Sequence, residues 1–121
     1  MATVRIEDGT LHVELKTTDM LWAVHGSFHI PLASVTGAGT AKPPSFWESL
    51  KIIGTNAGSL KMAGSFLYHG EVVFFDYARD DAVLVVDLTG TRYKHLFVHV
   101  DPPDSPEAAA GRIRASLVPT V

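Results

Sequence analysis

The chain has no cysteine. That excludes disulfides and thiolate metal sites, and it agrees with an expected cytoplasmic location. It also lacks a basic surplus: 10 Lys and Arg stand against 13 Asp and Glu, for a formal net charge of -3. Phosphate-backbone binding needs a basic excess or stripe, so no nucleic-acid partner is expected. No run approaches the roughly 18 apolar residues of a membrane-spanning helix, so no transmembrane segment is expected. The opening MATVRIEDGT lacks the apolar stretch of a signal peptide. What the chain does have is apolar residues: 46% of its 121 positions, against 19% charged. One domain over residues 1–121 with a single core is expected. The apolar fraction is high for a small soluble monomer.

Val4 and Ile6 alternate with Arg5 and Glu7, and Leu11, Val13 and Leu15 alternate with His12, Glu14 and Lys16. With Asp8-Gly9 between them, the two runs predict a β-hairpin with one wet face. Thr18 to Val24 predicts a short helix closed by Gly26. Phe28–Ile30 and Ser34–Thr36 read as short strands separated by Pro31, the second ending in the Gly37–Gly39 region. After Pro43-Pro44, Ser45-Phe46-Trp47-Glu48 matches a capping box. Phe46, Leu50 and Ile53 follow at helical spacing, which predicts a short amphipathic helix inside a long loop. A loop of that length usually has a function. Strands are expected at 65–69, 72–77, 82–88 and 95–100. Asp104, Ser105, Pro106 and Glu107 then carry the signals of a helix start, with Ala109, Ala110, Ile113 and Leu117 as its apolar stripe. The order predicts a mostly β domain: a bent antiparallel sheet or barrel of about seven strands with a C-terminal capping α-helix, a form that manages its sheet edges.

Several stretches, taken in order, resemble bacterial pleckstrin-homology (PH)-like domain proteins of unknown function. They are RIEDGTLHVEL, IPLASVTGA, GTNAGSLKMAGSF, GEVVFFDYARDDAVLVVDL and YKHLFVHVDPPDSPEAAAGRI. Two positions depart from that pattern: Phe75 stands where Trp is expected, and Ala57 where such loops often carry Pro. The resemblance implies a PH-like fold and a tendency to oligomerise. It implies no catalytic residues.

Candidate sites in the sequence are few. Binding a phosphorylated lipid headgroup needs clustered Lys and Arg in the first hairpin, but that turn is Glu7-Asp8-Gly9-Thr10 and lipid binding is not expected there. Of the six histidines, His95 and His99 lie about 13 Å apart on a strand, too far to share an ion. His25 and His29 flank the Gly26 turn without an acidic neighbour. No metal or cofactor is expected. Gly54-Thr55-Asn56-Ala57-Gly58 with Lys61 lacks the ending of a phosphate loop. Ser27 between His25 and His29 is not a triad, so no enzyme is expected.

The apolar excess is concentrated in two strands. In Val72–Tyr77 both faces carry apolar side chains, and in Ala82–Leu88 Val83 and Val85 oppose Leu84 and Val86. One face belongs to the core. The other, with Phe97 beside it, must be covered by the chain's own loop helix or by a second copy. The apolar pattern leaves these two equal, and the PH-like resemblance tips the choice, implying a non-enzymatic binding or assembly module that self-associates, its contact surface drawn from Phe46, Trp47, Leu50, Val73, Phe75 and Phe97. Another protein as partner is a further option, through strand addition at an open sheet edge. The competing expectation is a small-molecule or lipid binder using the barrel mouth near Trp22, His25 and the loop helix.

Overall fold

The computed structural model describes residues 2–17, 20, 23, 25–42, 49–56, 62–77 and 81–117. Strand β1 (Ala2–Glu7) turns through Asp8 and Gly9, both at positive φ (51° and 73°), into β2 (Thr10–Leu15). These are the dihedrals of a tight type I′ hairpin, and an Asp-Gly pair supplies them at low cost. Strand β3 (Phe28–Pro31) pairs antiparallel with β2 and completes a three-stranded sheet. Before it, Met20 and Ala23 are helical, within the segment where a helix is expected, and so is Thr17 just ahead of that segment. A 3-10 turn at Leu32–Ser34 leads to β4 (Val35–Ala41), then β5 (Ser49–Asn56), β6 (Met62–Tyr68), β7 (Glu71–Tyr77), β8 (Val83–Leu88) and β9 (His95–Val98). These six form a second sheet in the order β4-β8-β9-β7-β6-β5. One helix, α1 (Pro106–Leu117), follows.

The protein is thus mostly β with a C-terminal helix. It differs from the expected barrel in two respects. The sheets are not closed, and among the described residues a single bridge, Ala2 to Val100, links β1 to the segment that follows β9. One pairing is parallel: β8 lies on the far side of β9, so β9 enters between β8 and β7 and runs alongside β7. Residues 49–56 also form a strand where helical spacing predicts a helix. The register with β6, from Ser49 opposite Tyr68 to Asn56 opposite Met62, supplies hydrogen bonds that local periodicity does not reveal, and tertiary pairing overrides a weak propensity.

The central strands of the six-stranded sheet are buried on both faces. Leu84, Val86, Leu96, Val98 and Phe74 face the three-stranded sheet, where Leu11, Val13 and Phe28 meet them. On the opposite face Met62, Phe66, Val73, Phe75, Tyr77, Val83 and Phe97 form a second core. Each such side chain stabilises the fold by roughly 1.5–3 kcal/mol on burial. Gly64 has a φ of 128°, a value only glycine adopts readily. It sits in the row Gly54, Gly64, Phe75.

Helix α1 begins at Ser105, whose Oγ accepts from the Ala108 N–H at 3.1 Å, an ordinary N-cap. Ala109, Ala110 and Ile113 are buried against β4 and β8. The close approach is possible because β4 reads VTGAGTA, with almost no side-chain bulk. Arg112 holds Asp104 through both guanidinium ends, at 3.0 and 2.7 Å, and also donates to the Val4 carbonyl. The Arg112 hydrogen bond is the main cause holding the Asp104 carboxyl below its usual 3.8, and the same pairing raises Arg112. A depressed carboxylate stabilises the folded state above its unfolded pKa, and this contribution disappears as pH falls through the folded value. Both side chains retain solvent contact, so the pair contributes no more than about 1 kcal/mol. Arg112→Met is expected to lower the urea midpoint at pH 7 by that order. The gap to the parent should narrow in titrations taken below pH 4, to what the lost Val4 bond leaves. A gap independent of pH would assign the effect to the Val4 contact alone.

Candidate functional site

A β-sheet protein must dispose of the unpaired N–H and C=O groups at its edges, and this fold has four edges. The outer edge of β1 is occupied along its first half. Ala2 exchanges hydrogen bonds with His99 and Asp101 at 2.8 Å each, and Arg112 reaches the Val4 carbonyl at 3.2 Å. The edge at β4 is covered by α1, and Arg114 donates to the Ala38 carbonyl at 2.9 Å. The two arginines of one helix therefore cap an edge of each sheet. The edge at β3 is four residues long and ends in Pro31, which has no N–H to offer.

The fourth edge is β5. It is eight residues long and, among the described residues, pairs only with β6. Its sequence SLKIIGTN contains no proline and one charge, Lys51. A register shift between Lys51 and Ile53 interrupts its first half, and Ile53–Asn56 is regular. The turn at His69-Gly70, again with both φ values positive (50° and 79°), fixes the alternation across β6 and β7. Leu50, Ile53 and Thr55 consequently bond to β6, while the backbone groups of Ser49, Lys51, Gly54 and Asn56 face outward. Leu67, the one exposed large apolar side chain among the described residues at 38% exposure, stands on β6 opposite Leu50.

The residues predicted as a contact surface divide into three groups. Val73 and Phe75 have no exposed surface and Phe97 retains 8% within the single chain. The ring of Phe75 lies 4.8 Å from Phe66, 5.2 Å from Phe97 and 5.3 Å from Tyr77. Expected on a contact surface, these three are buried within the single chain and belong to the second core. Phe46 and Trp47 lie outside the described residues, as does most of the expected loop helix. Leu50 lies on β5, at the open edge.

At the expected barrel mouth, His25 stacks on Phe28 with ring centroids 4.4 Å apart and also approaches Phe74 and Tyr93. Tyr93 in turn shares a 2.6 Å hydrogen bond with the buried Ser65 hydroxyl. These aromatic rings pack on one another as the end of the core. Trp22 lies outside the described residues.

The histidines are not grouped as the sequence spacing implies. His95 sits between two carboxylates, with Nδ1 2.7 Å from Asp87 Oδ1 and Nε2 3.2 Å from Glu71 Oε1. Each nitrogen has its own acid, so the three side chains form a hydrogen-bonded cluster at the rim of the second core and do not converge on a common point. His99 Nε2 faces the Asp81 carbonyl at 3.3 Å. His29 pairs with His12 of the neighbouring strand, Nδ1 to Nδ1 at 2.7 Å, and not with His25. Among the described residues no three His, Asp or Glu side chains are arranged to hold a metal ion, and no helix is long and apolar enough to cross a membrane. Comparison with family models, with curated proteins and with solved structures yields no match.

Proposed function

We propose that the protein is a non-enzymatic binding module that self-associates by strand addition at β5, two copies pairing antiparallel to make one continuous sheet. The observation that carries this reading is the contrast between edges. The edges at β1 and β4 are capped by α1 and its arginines, and the edge at β3 is short and ends in proline. β5 is long and unblocked among the described residues. An exposed strand edge is a template for another strand. A second copy is the simplest occupant, since an antiparallel edge pairs with its own image about a two-fold axis, the commonest symmetry of oligomers. The PH-like resemblance, with the oligomerisation it implies, agrees with this reading.

The test uses prolines at outward-facing positions. Lys51→Pro with Asn56→Pro removes two outward N–H groups and leaves the bonds from Leu50, Ile53 and Thr55 to β6. Light scattering on a size-exclusion column is expected to give a dimer for the parent and a monomer for the variant, with unchanged near-ultraviolet circular dichroism. A monomeric parent at about 100 μM, or a variant that remains a dimer, overturns the reading.

A further inference from the structure

The geometry points to a binding site for a divalent transition-metal ion, Cu²⁺ above all, held by His12 and His29 on the open face of the three-stranded sheet. It stands apart from the β5 edge and does not depend on self-association. The pairing comes from the register. Ala2 and Val4 direct their backbone groups away from β2, so Arg5 and His12 are a hydrogen-bonded pair and His12 and His29 are a non-hydrogen-bonded one. Residues of that second kind have closer side chains, and here the two Nδ1 atoms stand 2.7 Å apart, with ring centroids at 4.9 Å. His29 is exposed and His12 half-buried.

The ligand type selects the metal. Two neutral imidazoles on neighbouring strands can share one ion, imidazole suits Cu²⁺, Ni²⁺ and Zn²⁺, and the affinity order for nitrogen ligands places Cu²⁺ first. Without metal the contact is an N–H···N hydrogen bond, one ring donating and the other accepting. With metal both Nδ1 atoms present lone pairs, and the proton on the donor ring moves to its Nε2 through solvent. A turn of each ring about χ2 directs both lone pairs to one point above the sheet, and water fills the remaining positions. The nearest positive charge is compensated: Arg5, beside His12 in the register, is held by Glu7 and by Glu14, its Nε 3.1 Å from Glu14 Oε1, and Lys16 is paired with Asp101 at 3.2 Å.

The site is tested by titrating the full chain with Cu²⁺ near pH 7.5, followed by electron paramagnetic resonance and by histidine ring signals in NMR. The expected result is one ion per chain, a square-planar spectrum with nitrogen hyperfine structure, and selective broadening of His12 and His29. Either His12→Asn or His29→Asn should weaken binding at least tenfold while leaving the thermal midpoint of the metal-free protein within a few degrees. Zn²⁺ should bind more weakly than Cu²⁺. Binding unchanged in both variants, or broadening centred on other histidines, overturns the proposal.

Discussion

Phe75→Glu is expected to unfold the protein, not to release a folded monomer. Phe75 has no solvent exposure and touches Phe66, Tyr68, Tyr77 and Phe97. Truncating such a ring to alanine costs about 3–5 kcal/mol. A carboxylate placed there adds an unpaired buried charge, costing several kcal/mol more. Small domains have only about 5–15 kcal/mol in total. Phe75→Ala should therefore remain folded with a much lower urea midpoint, and Phe75→Glu should lose its near-ultraviolet circular dichroism at 25 °C. A folded, monomeric Phe75→Glu would mean that this face is open in solution and that the contact surface lies on the second core after all.

Ile113→Asp is the second large effect, and its signature is aggregation. Ile113 is fully buried where α1 lies on β4 and β8. A charge at that position undocks the helix, and the arginine contacts to Val4 and Ala38 are lost with it. The uncovered edges of β1 and β4 then become templates for other chains. The variant should express into the insoluble fraction and, where soluble, elute as large species. Arg114→Ala removes a single cap and should cost only about 1 kcal/mol, with the protein still soluble. A soluble, monodisperse Ile113→Asp protein would show that the helix packing does not protect these edges.

The Arg112–Asp104 pair is expected to show its effect as a pH-dependent change in stability, and the β5 prolines and the Cu²⁺ titration address association and ligand binding. Each reads a different part of the fold. Failure of the β5 test would leave the histidine pair standing, because the two sites lie on different sheets.

The sequence by itself determined the elements whose signals are local. The Asp8-Gly9 hairpin follows from alternation on either side of a turn pair that accepts positive φ. The strands from Met62 to Val98 follow from β-branched and aromatic runs. Helix α1 follows from Ser105, Pro106 and Glu107 ahead of an alanine-rich stripe. The two-faced apolar character of β7 and β8 was equally legible, and it required a cover for the second face, from the chain itself or from another copy. Only the tertiary structure decided what is set by non-local pairing. Ser49–Asn56 is a strand because β6 lies beside it. Strand β9 runs parallel to β7 because β8 passes to its far side, a connection that carries no local signature. Phe75 and Phe97 are enclosed within one chain, while apolar alternation alone is equally satisfied by a second copy. His12 and His29 meet across a ladder 17 residues apart in sequence. Sequence spacing brought only His95 with His99 and His25 with His29 into consideration, and supported neither, since spacing describes neighbours along a strand and a sheet brings together neighbours across it.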